Sequence, residues 1–114
     1  MITRADIAEA LSTVEGVTGQ ALPPRTPRAG QGWPEWQQTT PSTMTGDEIT
    51  WQVHVALPSG SPDSTVLEAD AIVGALLDAL IELGDIQTVQ PTTLVMQQAG
   101  AQPLPCITVT MTTV

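Results

Sequence analysis

The sequence contains no lysine, phenylalanine or tyrosine, and only one histidine and one cysteine. Three arginines stand against twelve acidic residues, which gives a formal net charge of −9 over 114 residues. A surface this acidic repels the phosphates of nucleic acids and of anionic lipids, so binding to either is not expected. A single cysteine excludes an internal disulfide. With so few basic and nucleophilic side chains, the composition predicts that the chain is not an enzyme.

The two residues most often used in metal or nucleophilic chemistry lie far apart. Cys106 lies in the apolar run LPCITV, which predicts a buried, unreactive thiol. His54 lies at one of the polar positions of residues 49–57, where apolar and polar side chains alternate, and we interpret it as a structural residue. An enzyme would need a pocket that joins His54 to distant acids. No cluster has metal-ligand spacing, so neither a metal nor a cofactor is expected.

The N-terminus and the longest apolar segment bear on localisation. The N-terminus carries acids where a signal peptide carries basic residues, and the apolar segment is interrupted by acids. We therefore expect an intracellular, soluble protein that does not contact a membrane.

The first half of the chain predicts one helix and up to three strands. Thr3 and Asp6 fit a variant of the capping box before a short helix that ends near Gly16. Residues 17–22 can form a short strand, which the prolines after it confine to a sheet edge. Residues 49–57 alternate between apolar and polar side chains and predict a half-buried strand. This strand should form a hairpin with residues 35–40.

The second half predicts a long amphipathic helix over residues 64–83, followed by two strands. The fold class is α+β, a two-layer sandwich in which one long helix covers a mostly antiparallel sheet of four to five strands. The predicted order is α-β-β-β-α-β-β, in one domain over residues 1–114. Leu76, Leu77 and Leu80 are expected to be buried against the sheet. The apolar set of the helix is Val66, Leu67, Ala69, Val73, Leu76, Leu77, Leu80 and Leu83.

The stretch GWPEW holds Trp33 and Trp36, two of the three tryptophans. In one interpretation a tryptophan closes one end of the core while Pro34 bends the chain. In the other, the tryptophans and the preceding arm, with Arg25 and Arg28, face a partner, because Trp and Arg are favoured at the centres of interfaces. We interpret GWPEW as a rigid elbow that feeds the sheet, and we expect Trp36→Ala to harm folding.

The arginines of the arm contrast with the acidic remainder of the chain. Such an asymmetry suits head-to-tail association of copies in a ring. An arm that folds back and neutralises acids of its own chain is equally compatible with it. The candidate subunit or partner interface consists of Arg25, Arg28, Trp33, Trp36 and Met44.

Several segments together resemble one protein family. They are the block RTPRAGQGWPEW, the strand WQVHVALP that follows it, the acidic helix STVLEADAIVGALLDALIEL and the Thr-rich terminal strand CITVTMTTV. In local sequence and in order they resemble the tail-terminator proteins of long-tailed, non-contractile phages, especially those of actinobacterial hosts. The resemblance covers nearly the whole chain and includes no catalytic signature.

The resemblance implies a structural role in the neck of the virion, with assembly in the host cytoplasm. Such subunits are small α+β proteins that form a homo-hexameric ring on the last ring of the major tail tube protein. The ring stops tube growth, offers a surface to the head-closure or connector protein, and lets genomic DNA pass without specific binding. Two alternatives remain open: a head-closure or other neck ring protein, and a monomeric binding adaptor that uses Trp33 and Trp36 as anchors.

Overall fold

Two helices and five strands form the part of the chain that the computed structural model describes, which is residues 2–41, 46–57, 62–94 and 104–113. The α+β class and the single sheet are as predicted. In chain order the elements are α1 (Arg4–Ser12), β1 (Thr18–Gly19), β2 (Gln31–Thr40), β3 (Glu48–Ala56), α2 (Pro62–Leu80), β4 (Asp85–Leu94) and β5 (Leu104–Thr113).

The sheet is mixed, with the strand order β1-β2-β3-β5-β4. β1 runs parallel to β2, while the β2–β3, β3–β5 and β5–β4 pairs are antiparallel. The predicted hairpin of β2 and β3 is confirmed. Because β5 lies between β3 and β4, those two strands run in the same direction, and α2 forms the crossover between them. β1 is a two-residue edge strand, as the prolines after it predict.

α1 begins with the predicted capping box. The hydroxyl of Thr3 accepts a hydrogen bond from the backbone N–H of Asp6, and the carboxylate of Asp6 accepts one from the backbone N–H of Thr3 at 2.8 Å. These bonds from Thr3 lower the pKa of Asp6 from its ordinary value. The cap directs Ile7 and Leu11 into the core, where both are fully buried.

Both helices contribute to the core on one face of the sheet, which corrects the expectation of a single covering helix. The alternation predicted for β3 is confirmed: Trp51, Val53 and Val55 face the helices and are buried. α1 adds two fully buried residues, so α2 need not cover the whole face. The buried members of this core are Ile7, Leu11, Val14, Val17, Trp51, Val53, Val55, Leu57, Ile72, Leu76, Leu80, Ile107, Val109 and Met111.

The buried face of α2 differs from the predicted one. Val66 and Leu67 are 58% and 69% exposed, whereas Ile72, which was not in the predicted set, is buried. Leu76 and Leu80 are fully buried as predicted, and the helix ends at Leu80 and not at residue 83. Among the residues whose burial the structure describes, the buried core members of α2 start at Ile72, and Ala69 packs against the core while partly exposed. Hydrophobic spacing identifies an apolar stripe but not how far the stripe meets the sheet.

Candidate functional site

The GWPEW stretch lies within strand β2 and does not form an elbow. β2 begins at Gln31 and not at residue 35, and Trp33 and Pro34 pair with His54 and Val53 of β3. The pairing of β1 with β2 ends at Gly32, so β2 has no described neighbour on its outer side at Pro34. Proline, which has no N–H to donate to a ladder, is tolerated in such an edge position. The bend expected at Pro34 is therefore absent.

The two tryptophans of this stretch have different environments. Trp33 is only 4% exposed; it packs with Ala56 and Cys106, and its ring lies 5.7 Å from that of His54. Trp36 is 52% exposed, and its Nε1 donates a hydrogen bond to the Thr39 hydroxyl at 2.9 Å. That Trp36→Ala harms folding stays a prediction, but Trp33 has the larger buried surface and should matter more for stability. Trp36 is the one that a partner can reach.

On the sheet face opposite the helices, His54 joins a polar chain that crosses four strands. Its Nε2 lies 2.8 Å from a carboxylate oxygen of Glu35 on β2, and its Nδ1 lies 2.9 Å from the hydroxyl of Thr108 on β5. The hydroxyl of Thr92 on β4 lies 2.6 Å from that of Thr108. The alternating pattern of residues 49–57 places His54 on the polar face of its strand, but it does not identify the partners of His54, because these come from strands far apart in the chain.

The hydrogen bonds of this chain are mutually consistent for either protonation state of the histidine. When His54 is neutral with its proton on Nε2, Nε2–H donates to Glu35, and Thr108 donates to Nδ1 while it accepts from Thr92. When both ring nitrogens carry protons, Nδ1–H donates to Thr108, and the direction of the hydroxyl bonds reverses. The described residues contain no buried side-chain nitrogen or oxygen without a hydrogen-bond partner.

A hydroxyl, an imidazole and a carboxylate in line also describe the catalytic group of many hydrolases. Here the Thr108 residue is 2% exposed, so its hydroxyl does not meet solvent where a substrate would bind. Neither Thr108 nor His54 lines either of the two grooves described below. The arrangement is suited to holding four strands in register on this face.

The arm between β1 and β2 carries Arg25 and Arg28, and both are exposed. Backbone hydrogen bonds fix its two ends: Thr18 N–H donates to Gly30 O, and Gly30 N–H donates to Ala56 O, each at 2.8 Å. Neither arginine forms an ion pair with any residue in the described part of the chain, where the one pair is that of His54 with Glu35. Within the described residues, the arm therefore presents two arginines that have no ionic partner.

The third arginine, Arg4, is used within the fold. Its guanidinium donates to the carbonyl oxygen of Pro34 at 3.1 Å and lies 5.5 Å from the centre of the Trp51 ring. This position links α1 to two strands and favours a cation–π contact. Arg25 and Arg28 are consequently the two arginines that a partner can engage.

Met44, the remaining candidate interface residue, lies outside the described residues. Cys106 is buried as predicted, and burial raises the pKa of its thiol to about 11. Such a thiol is protonated and unreactive near neutral pH.

Two grooves mark the described surface. The larger, about 660 Å³, lies between α1 and the C-terminal part of α2, and we call it the acidic groove. Its apolar floor includes Ala10, Val14 and Leu83, and no basic residue lines it. The carboxylates around it belong to Asp6, Glu9, Glu15, Asp78 and Glu82. The smaller groove, about 300 Å³, lies between α2 and the β4–β5 hairpin and is mainly apolar.

Within the described ranges, no group of three or more His, Cys, Asp or Glu residues could hold a metal ion. None of the helices there combines the length and the apolar character needed to cross a membrane. Comparisons of the chain with protein-family models, with curated proteins and with solved structures found no match.

Proposed function

We propose that this chain is a structural subunit that forms a ring on the end of a phage tail tube. The ring stops polymerisation of the tube protein and provides the surface to which the head-closure or connector protein attaches. DNA passes through its lumen without specific binding. Six copies form the ring, as the resemblance to tail terminators implies.

The separation of charge on one subunit is the observation that carries this proposal. Arg25 and Arg28 are exposed on the arm between β1 and β2, while the acidic groove lies between the two helices. Two different, complementary surfaces on the same chain favour a head-to-tail contact between copies. Repeated contacts of this kind generate a closed ring when the rotation between neighbours allows it.

Two further features support a ring. β4 is the last strand on its side of the sheet, and β2 lacks a described neighbour on its outer side beyond Gly32. Such edges invite pairing with other chains, and packing between subunits covers them. An acidic surface also suits a channel for DNA, because it repels the phosphate backbone.

The mass of the protein, alone and with purified tail tubes, tests the proposal. Light scattering gives the number of subunits, and electron microscopy of the tubes shows whether a ring caps their ends. We expect a discrete ring at tube ends and tubes that stop growing when it is present. Binding to head-side proteins but not to tubes would favour the head-closure alternative. A monomer that ignores both would contradict the ring and leave the adaptor.

A further inference from the structure

We propose that the acidic groove is the docking site for the arm of a neighbouring copy, so that residues 20–30 of one subunit lie between α1 and α2 of the next. This inference rests on the proposed function for the ring itself. It adds the surface on which the ring closes and the residues that hold it. It does not depend on what the ring caps.

The groove has the shape and chemistry of a site for a short basic segment. About 660 Å³ of open space lies over an apolar floor, and five carboxylates surround it with no basic residue among the lining. Asp78 and Glu82 lie four positions apart on the same side of the groove. Like charges this close repel one another, so a bound cation relieves an existing repulsion as well as forming new pairs.

The arm matches this surface in both of its properties. Leu22 is 67% exposed and provides an apolar group for the floor, while Arg25 and Arg28 provide two cations for the rim. The three residues recur at every third position.

The arm also loses little conformational entropy when it docks. Pro23, Pro24 and Pro27 restrict the backbone before binding, and the arm's ends are held by the bonds of Thr18 and Gly30 to neighbouring strands. A preorganised segment binds more tightly because less freedom is lost.

The occupant is a second copy and not the arm of the same chain. No arm residue lines the groove of its own subunit, and neither Arg25 nor Arg28 pairs with a described carboxylate. Among the described residues of one subunit, the groove therefore holds no arm residue and the arginines of the arm have no ionic partner. This is the condition for a head-to-tail contact that repeats around a ring.

Charge reversal in the full-length protein tests the contact. Two variants each place like charges on both sides of the contact between arm and groove. The arm variant is Arg25→Glu with Arg28→Glu, and the groove variant is Asp78→Arg with Glu82→Arg. We expect the contact between copies to weaken about tenfold or more in each case. The matched control is Glu68→Arg with Asp70→Arg, which makes the same charge change on exposed residues of α2 outside the groove and should leave association unchanged.

Mixing the two variants makes the test specific. The Glu-bearing arm of the first then meets the Arg-bearing groove of the second, and the remaining arm and groove are complementary as in the wild type. We expect sedimentation of the equimolar mixture to show assembly that neither variant shows alone, and the same recovery when all four changes are in one chain. Failure of both rescues, with circular dichroism showing folded variants, overturns the proposal.

A peptide of residues 20–30 measures docking without requiring a ring. Its acceptor is the arm variant, whose groove is intact and whose own arm cannot compete. We expect the peptide to bind this protein, and to bind severalfold more weakly when Asp78→Asn and Glu82→Gln are added, which remove two carboxylates without making the groove a site for the Glu-bearing arm. Equal binding to both acceptors, or binding to neither, overturns the proposal.

The outcomes separate this inference from the proposed function. Rings that form through the arm and groove but ignore tail tubes refute the capping function and leave the docking site standing. Rings that form and cap tubes in the groove variant refute the docking site and leave the function standing. A third outcome is that the peptide does not bind, and the groove variant still associates with itself but no longer binds tubes. The groove then binds the tube protein, and a second copy is not its occupant.

Discussion

Replacing Trp33 by alanine should destabilise the protein far more than the same change at Trp36. The Trp33 side chain is 4% exposed and packs against the sheet, whereas that of Trp36 is 52% exposed. A buried tryptophan side chain removes roughly 150–250 Å² from water, and apolar burial contributes about 25 cal/mol per Å². The upper bound for Trp33 is therefore about 4–6 kcal/mol, and truncations of buried tryptophan generally cost about 3–5 kcal/mol.

The same arithmetic gives a smaller value for Trp36. About half of its surface already meets water, so truncation should cost roughly 2–3 kcal/mol. The hydrogen bond from its indole to Thr39 is exposed, and its loss adds less than about 1 kcal/mol. The expected difference between the two variants is thus about 2 kcal/mol.

Urea unfolding followed by circular dichroism measures this difference. For a domain of this size the free energy of unfolding falls by about 1–3 kcal/mol per M urea, so the midpoints of the two variants should differ by roughly 1 M. The slope should stay the same in both, because the fold is retained. If Trp36→Ala lowers the midpoint as much as Trp33→Ala does, the burial of Trp33 against Ala56 and Cys106 is wrong.

Three further predictions concern a close contact of α1, the partner of His54, and the burial of Cys106. Gly19→Ala should destabilise the protein by roughly 1–3 kcal/mol in thermal unfolding, because an added Cβ would collide with the backbone of α1. Gly74→Ala, at an open position of α2, should instead stabilise it by about 0.5–1 kcal/mol. Changes in stability of the same sign for both variants would contradict the packing of α1. Thr108→Val should cost about 1–3 kcal/mol in urea unfolding because it leaves a buried imidazole nitrogen without its partner, and Thr110→Val, on the same face but partly exposed, should cost clearly less. The Cys106 thiol, with its pKa raised to about 11, should react with a thiol reagent in the native protein only at the rate of local opening, so rapid labelling at neutral pH would refute its burial.

The candidate site could be predicted only in part from the sequence. The asymmetry of charge is a property of composition, so Arg25 and Arg28 could be singled out before any fold was known. The groove that complements them could not, because it exists only where α1 packs beside α2. The partners of His54 were equally hidden, since Glu35 and Thr108 reach it across three strands.

Local sequence by itself determined the elements that depend on near neighbours in the chain. The capping box of Thr3 and Asp6, the alternation of residues 49–57, and the confinement of the Pro-flanked β1 to an edge all follow from bonds or contacts within a few positions. Such signals act over the length of one turn or one strand, and they require no knowledge of the rest of the fold.

Only the tertiary structure decided which members of those elements are buried. It separated Trp33 from Trp36, exposed Val66 and Leu67 at one end of α2, and buried Ile72 further along. The physical reason is that burial depends on which strands pair and where a helix crosses the sheet, and both are set by contacts between residues distant in the chain. A periodic pattern gives the apolar stripe of an element, and packing against the other elements decides how much of that stripe leaves water.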